Sequence, residues 1–540
     1  MQETKKSGPA ARWRALCLAS LAACCATGWA QTDAAAATDP AAEQAREVDV
    51  QEYIVRGNTV LDARAIEAAV TPFLGPRRTL KDIEAARDAL LAVYQAKGYQ
   101  SVYVDLPEQQ VSDGLVLLQV NETRVGRVRV VGAEYHSPVE VREGVPALRE
   151  GEVPDFHRAQ VELAALNVGK RQVMPLVRQG TLPGTMDVDL KVEDSSPWRA
   201  SVGLNNDRSA DTKALRASAS VGHDNLWQLG HSASLSVFTT PQDFDQTMVW
   251  SGAYSAPLRG TRWNLEATGY VSDSNVATVG GTSVIGKGYA LGLKAAYTVP
   301  DSGAWWHNFS VGVDLKNNEE ALQFGATSDE VPLKYAPITL AYSGYYQGEK
   351  LQSGLGLSLV TGTRTFLGWG SDWQQFSYKR YKASPSFMVL KADVNGSYAL
   401  ANASQFGWRL AGQITDSPLI SGEQIAAGGA NSVRGYLSAE ATGDVGLVGS
   451  IEWRTKPLTL LGDHIEGWRG YLFADAGQLR LRAPLPEQQH RFTLASVGLG
   501  THLRIGPHLS ARFDLAYPLK DGPRTERHDP RLTFNLNASY

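Results

Sequence analysis

The chain is short of several things, and each shortage removes a class of function. Its three cysteines, Cys17, Cys24 and Cys25, all fall within the first thirty residues. The remainder therefore carries no disulfide, no thiolate metal site and no catalytic cysteine. Charged residues make up only 20% of the sequence and the net charge is −4, so nothing points to nucleic acid as a partner. No stretch beyond the N-terminus reaches the ~18 uncharged apolar residues of a membrane-spanning helix. The ten histidines show no metal-ligand spacing, and the carboxylates are too scattered to single out a glycosidase-like pair. No nucleophile–base constellation stands out, so the sequence offers no catalytic, cofactor-binding or metal-binding residues and reads as a non-enzyme. Gly281-Thr282-Ser283-Val284-Ile285-Gly286-Lys287 has phosphate-loop spacing, but Gly288 stands where Ser or Thr belongs. It also lies between strand-like segments rather than before a helix, which makes it a chance match.

What is present begins with an export signal. Lys5, Lys6, Arg12 and Arg14 give a basic start, residues 15–26 are apolar, and Gly28-Trp29-Ala30 supplies a small-x-small cleavage site. Residues 1–30 thus read as a signal peptide. Leu21-Ala22-Ala23-Cys24 also fits a lipoprotein cleavage pattern, against the plainer reading of an Ala/Leu/Cys-rich apolar core. Residues 31–47, rich in Ala, Asp and Gln and interrupted by Pro40, read as a linker or short helix.

From residue 48 a unit of about 75 residues occurs twice. Residues 50–61 are strand-like, 63–74 and 80–96 are helical, and 101–106 and 115–120 alternate as strands joined across Asp113-Gly114. In the longer helix Leu80, Ile83, Ala86, Leu90 and Tyr94 recur at helical spacing, and Gly98 stops it. The second copy runs as a strand over 125–131, helices over 139–148 and 156–166, and strands over 173–178 and 186–192. Gly144 and Pro146 weaken the first of those helices. This β-α-α-β-β order resembles a pair of polypeptide-transport-associated (POTRA) domains, at 48–121 and 122–195. Each such sheet leaves an edge open to an incoming strand. A generic α+β periplasmic module fits the same pattern.

Beyond Pro197 helical periodicity gives way to dyad alternation. Leu215, Ala217, Ala219 and Val221 alternate with Arg216, Ser218 and Ser220; Ala233, Leu235 and Val237 alternate with Ser232, Ser234 and Ser236. One face is apolar and the other small or polar, as a lipid-facing, water-lined barrel requires, though a soluble sandwich alternates similarly. Three features favour the barrel: the export signal, roughly 345 residues without a helical break, and the last segment. There Leu532, Phe534, Leu536, Ala538 and Tyr540 alternate up to a final aromatic residue, which resembles the strand by which bacterial outer-membrane barrels are recognised for assembly. Phe534, Leu536 and Tyr540 are the candidate assembly signal. Only a closed barrel satisfies every backbone amide in lipid without helices. At about 21 residues per strand and connection, residues 196–540 suit a transmembrane β-barrel of about 16 antiparallel strands.

Within that region, Gly428 to Tyr436 places one arginine in a Gly-rich loop between two barrel-like strands, and Phe473-Ala474-Asp475-Ala476-Gly477 places one aspartate inside another strand. A cation in a loop and an anion on the wall suggest a latch; a surface arginine with an aspartate lining water fits the same residues. The order of signal, two POTRA-like repeats and barrel is similar to that of the two-partner secretion transporters, the haemolysin/haemagglutinin secretion and activation family. Local matches are Leu106-Pro107-Glu108-Gln109-Gln110 leading to Asp113-Gly114, Asp224-Asn225-Leu226-Trp227-Gln228-Leu229-Gly230, and Phe513-Asp514-Leu515-Ala516-Tyr517-Pro518-Leu519. The loop Val433-Arg434-Gly435-Tyr436 and the motif Phe473, Asp475, Gly477 resemble the two signature motifs of the wider POTRA-barrel superfamily.

The resemblance implies that Arg434 pairs with Asp475 and holds the sixth extracellular loop in the pore. It also implies an outer-membrane location with the POTRA domains in the periplasm. The task it implies is secretion, and in some members activation, of an exoprotein with an N-terminal two-partner secretion domain. Further partners are outer-membrane lipids and, during biogenesis, the barrel-assembly machinery. An insertase of the same superfamily or a passive small-solute porin are the alternatives; the first usually carries more POTRA repeats, and the second predicts neither repeats nor latch. The chain departs from the family at 31–47, where Pro40 breaks a plug helix, and at Gln179-Gly180 and Thr185-Met186, where Pro-Gly and Thr-Asp are more usual.

Overall fold

The structure is a computed structural model that describes residues 47–540 except 112, 168–170, 275–277, 281–282, 301–302, 320, 325–326, 331 and 459–464. The expected signal peptide, the Cys24 cleavage pattern and residues 31–46 of the linker lie outside the described residues. The chain divides after Glu122 into two compact units.

In the first unit, the central strand Leu115–Glu122 pairs in parallel with Glu52–Arg56 and antiparallel with Val102–Asp105, so both partners are sheet edges. Helix Leu80–Ala96 opens on a capping box, in which the Thr79 side chain and Asp82 satisfy each other's backbone N–H groups. Its Ile83, Ala86, Leu90 and Tyr94 are buried, the stripe expected from their spacing, as are Val116, Leu118 and Val120 of the sheet. The expected strand over 50–61 is cut short. It ends at Arg56 because Gly57 has φ +88°, and a side chain there would run into the Val120 carbonyl. A short strand Gly75–Arg78, invisible to pattern because it reads Gly-Pro-Arg-Arg, pairs with Val48–Val50.

The second unit opens with a sheet of the same order. Strand Thr185–Glu193 lies between Arg124–Val131, parallel to it, and Gln172–Gln179, antiparallel. Val128, Val141, Leu148, Leu163, Val188 and Leu190 form its core. The helix expected over 139–148 covers only Pro138–Glu143; the chain breaks at Gly144 and resumes as a 3-10 turn, Pro146–Leu148. Pro146 has no N–H to continue a helix. At the exit from this sheet Asp194 accepts backbone N–H bonds from Glu134, Tyr135 and His136 and a contact from the His136 ring at 3.0 Å. Burial works to raise the Asp194 carboxyl, but the His136 ring and the three N–H groups outweigh it and hold its pKa below the usual carboxylate range. A lowered folded-state pKa stabilises the fold above the unfolded value, near 3.9, and that stability is lost as pH falls through the folded value. Protease resistance of the 134–136 turn should therefore hold from pH 7 to about pH 5 and fall below about pH 4, and Asp194→Asn should remove that acid-dependent step.

Among the described residues, sixteen antiparallel strands close into a barrel running from Trp198–Asn205 to Arg531–Ser539. The eighth is in two pieces, Leu333–Tyr335 and Ile338–Gln347, both paired with Trp305–Asn318; Pro337, lacking an N–H, separates them. The seam pairs Asn205 with Asn535 through Ser201 with Ser539, and Ala200 and Tyr540 exchange two backbone hydrogen bonds. Leu293, Leu340, Leu472 and Leu532 point outward and are each more than half exposed. A soluble sandwich would bury that face; a lipid-facing wall requires it. Trp263 against Tyr297 and Trp305 against Tyr346, at one end of the wall, form part of an aromatic belt. No helix among the described residues is long and apolar enough to cross a membrane.

Turns at one barrel end meet the second α+β sheet. In the turn after strand Arg216–Leu226, Trp227 and Gln228 have φ +61° and +57°. This presents the Gln228 amide to the Tyr135 carbonyl (3.0 Å) and the Ser137 N–H (3.1 Å). Arg259, in the next such turn, pairs with Glu140. The connection 416–444 leaves from the opposite end, the sixth there, and is long enough to fold back into the lumen.

Candidate functional site

Two short strands, Ile425–Ala427 and Ala441–Gly443, pair to form the stem of this connection. The tip, 428–440, turns inward. Its glycines are needed for the path: Gly428 has φ +109° and Gly435 φ +92°, and a Cβ at Gly435 would sit 3.2 Å from both the Ala516 Cβ and the Pro518 ring. Val433 and Tyr436 are fully buried among Ala427, Val448, Leu479 and Leu494. The Tyr436 hydroxyl lies 2.7 Å from the Lys520 carbonyl and 2.9 Å from that of Ala495, tying the tip to the wall and to the neighbouring connection.

Between these two apolar anchors Arg434 is 1% exposed. Its Nε and Nη2 grip the Asp475 carboxylate at 2.7 and 2.6 Å, and its backbone N–H donates to the same group at 3.0 Å. Nη2 also donates to Ser450 (2.9 Å) and Nη1 to Glu452 (2.7 Å), with Asp514 3.6 Å away. Such a planar fork matches a carboxylate in two bonds at once, which a lysine cannot do. The guanidinium carbon sits 3.5 Å above the Phe473 ring centroid, a close cation–π contact. Phe473 lies over Gly498 on the adjacent strand, where any side chain would displace the ring. Gly477, two residues beyond Asp475 on the same face, leaves room for Val433; a Cβ there would approach its Cγ2 to 3.2 Å.

The structure therefore brings Val433, Arg434, Gly435 and Tyr436 against Phe473, Asp475 and Gly477. Phe534, Leu536 and Tyr540 lie apart from them, along the last strand and just beyond its end, and Tyr540 is 70% exposed.

Pattern reading missed the other half of the site. Arg512 reaches the Tyr471 hydroxyl and Asp514, both at 2.9 Å, and Arg454 pairs with Glu452 at 2.8 Å. Three arginines thus balance three acids, which offsets the desolvation that a lone buried pair suffers. Alternation places Glu452, Asp475 and Asp514 on the lumen face, and ionisable residues at inward positions among Ser and Gly were the available signal. A cavity of about 350 Å³ borders the lattice, lined in part by Arg409, Arg434, Glu452 and Arg512. Elsewhere on the connection, Glu440 binds the Arg524 and Thr525 N–H groups (2.7 and 2.8 Å). Asp444 binds those of Leu419 (3.0 Å) and Arg482 (2.6 Å). The phosphate-loop-like run carries no such network: its Gly281 and Thr282 lie outside the described residues, and Ser283–Ile285 is a short strand paired with Thr278–Gly280.

The family profile for haemolysin secretion/activation proteins ShlB/FhaC/HecB matches residues 184–503, and the ShlB-type POTRA domain profile matches 48–123. The outer membrane transporter CdiB of Escherichia coli is 23% identical over 496 residues, covering 87% of this chain and 79% of that protein. The Dickeya dadantii CdiB is 22% identical over 437 residues, covering 75% of this chain and 72% of its own. Among solved structures, CdiB from Escherichia coli superposes with a TM-score of 0.62 at 18% identity, covering 93% of each chain. BamA from Haemophilus ducreyi lacking POTRA domains 1–3 gives 0.54 at 14% identity over 92% of this chain and all of that one, which speaks to fold alone.

Proposed function

Because the chain belongs to the haemolysin secretion/activation family of outer-membrane transporters, we propose that it exports one partner exoprotein and that Arg434 latches its sixth loop in the pore. The protein resides in the outer membrane, with its POTRA domain (48–123) in the periplasm. In this reading residues 122–195 are a second POTRA domain. An unfolded exoprotein carrying an N-terminal secretion domain meets both domains from the periplasm and adds a strand to an open sheet edge. Edge strand Gln172–Gln179 supports this: Met174, Leu176 and Val177 stand exposed along it. In the first unit, Tyr103 stands 61% exposed on edge strand Val102–Asp105.

The chain then threads the lumen as the tip at Arg434 lets go of Asp475. No nucleotide is needed; folding outside the cell draws the chain through. The outward row ending in Phe534, Leu536 and Tyr540 serves the assembly machinery during biogenesis. The observation that carries the reading is the network of three arginines and three acids, with Arg434, Asp475 and Asp514 buried at its centre, fastening a loop inside a barrel whose chain also bears strand-capturing sheets. A passive porin has no use for either.

Removing residues 48–121 should abolish capture of the exoprotein secreted by the same strain, measured by co-purification, while leaving bilayer conductance within about twofold. Undiminished capture by the truncated protein would overturn the assigned role of the first domain. Loss of one large protein from the medium when the full chain is deleted would identify the partner.

A further inference from the structure

The loop that carries Arg434 holds a second buried charge, of opposite sign. Glu423 closes the 3-10 turn Ser421–Glu423 and is 2% exposed. One carboxylate oxygen lies 2.7 Å from Lys316 Nζ and 3.1 Å from the Tyr335 hydroxyl, and the other lies 4.0 Å from Lys391 Nζ. The Glu423 carbonyl accepts from Gln413 Nε2, which also donates to the Asp444 carbonyl on the far side of the stem (3.0 and 3.1 Å). Just before the turn, Leu419 and Ile420 join an apolar cluster with Leu333, Phe376, Phe387 and Val389.

The two charged anchors grip different walls. Lys316, Tyr335 and Lys391 stand on the seventh, eighth and tenth barrel strands, whereas Glu452, Asp475 and Asp514 stand on the twelfth, thirteenth and fifteenth. The Glu423 anchor borders its own cavity of about 460 Å³, lined in part by Asp314, Lys316, Tyr335 and Gly422. Both anchors combine charge with apolar packing, since Val433 and Tyr436 beside Arg434 are buried in a cluster of their own. At Glu423 strand pairing is added: Ile425–Ala427 pairs with Ala441–Gly443 and Gln413 clasps both sides of the stem, whereas the tip 428–440 contains no strand, so the two ends of the loop are not equally free.

We propose that Glu423, through Lys316, Lys391 and Tyr335, is a hinge anchor: it stays fastened when Arg434 releases, so the tip swings about the stem instead of the whole loop leaving the lumen. A hinge of this kind lets the pore widen on the Arg434 side and returns the tip to Asp475 after each transit. The inference rests on the reading of the loop as a movable latch, but not on which protein is exported.

Its test uses the full-length protein and needs no exported partner. Beyond residue 25 the chain has no cysteine, so a single Ala426→Cys in the stem reports loop exposure to an impermeant maleimide in intact cells. Adding Arg434→Ala should leave labelling within about twofold, because the stem stays pinned. Adding Glu423→Gln should raise it about tenfold or more, the scale expected when one partner of a buried charged pair is lost. Lys316→Met should act like Glu423→Gln, while Lys316→Arg, which keeps the charge, should label as the parent does; that difference separates a charged anchor from mere packing. If Glu423→Gln does not assemble, judged by loss of heat-modifiable mobility, the Lys316 pair decides. Parental labelling in Glu423→Gln and Lys316→Met, or an equal rise in Arg434→Ala, overturns the hinge. A chain that exports nothing yet shows the expected labelling would instead overturn the secretion role and leave the hinge standing.

Discussion

Arg434→Ala should abolish or sharply reduce export of the partner while the barrel still inserts and migrates as a heat-modifiable band. The substitution removes four side-chain hydrogen bonds, two to Asp475 and one each to Ser450 and Glu452. It also leaves three acids facing two arginines in a site where Asp475 and Asp514 are nearly inaccessible to water. Stripping one partner from a buried ion pair costs about 3–5 kcal/mol. Even the lower figure shifts the fastened-to-released ratio of the tip by roughly a hundredfold, since every 1.4 kcal/mol is a factor of ten. The fold should survive because the anchor is not part of the ladder. Strand pairing runs unbroken through Asp475, which lies opposite Ser450 and Ser496, and the seam closes elsewhere. Immunoblotting of the medium, with bilayer recordings of the purified variant, measures both halves of the expectation. Arg434→Lys should fall between, keeping the charge but not the fork. Normal export by the alanine variant would remove the latch from the mechanism.

The barrel was legible because lipid enforces what water would hide. With apolar residues driven outward on every strand, Leu235, Leu357 and Leu532 keep one parity against their neighbours Ser234, Ser358 and Thr533, and length alone bounded the strand number. The first-unit helix was legible for a similar reason: Ile83, Ala86, Leu90 and Tyr94 form a stripe, bracketed by Thr79 and Gly98. Where pattern failed, a local steric or backbone fact decided. Gly57 ended a strand early, Pro146 cut a helix, and Pro337 split a strand.

At the site, the loop arginine and the wall aspartate stood out as isolated charges in apolar and small-residue company, and the structure places them in contact. Glu452 and Arg512 did not stand out, and Asp514 did so only as part of the Phe513 to Leu519 match, with no partner assigned. Their meeting depends on the registers of the twelfth, thirteenth and fifteenth strands, which one sequence does not encode in any local pattern. Glu423 looked like one more scattered acid for the same reason.

Register also reshapes the simplest test of the Arg434–Asp475 pair. Exchanging the two charges, Arg434→Asp with Asp475→Arg, restores an isolated ion pair by symmetry, but this pair is not isolated. An aspartate at 434 would face the Glu452 and Asp514 carboxylates that now lie 2.7 and 3.6 Å from Nη1, and would offer Ser450 an acceptor in place of a donor. The new arginine at 475 would satisfy only part of that excess. The exchange is therefore expected to recover some export relative to either single variant, yet to remain well below the parent. Adding Glu452→Gln to the exchange removes one of the repelling acids and should raise export further, whereas Glu452→Gln alone should lower it. Immunoblotted exoprotein in the medium across this series measures the order: parent, triple variant, exchange, single charge reversals. Full recovery by the exchange alone would mean that Glu452 and Asp514 do not contribute to fastening. No recovery in either the exchange or the triple variant would mean that the charge of Arg434 is not what holds the loop.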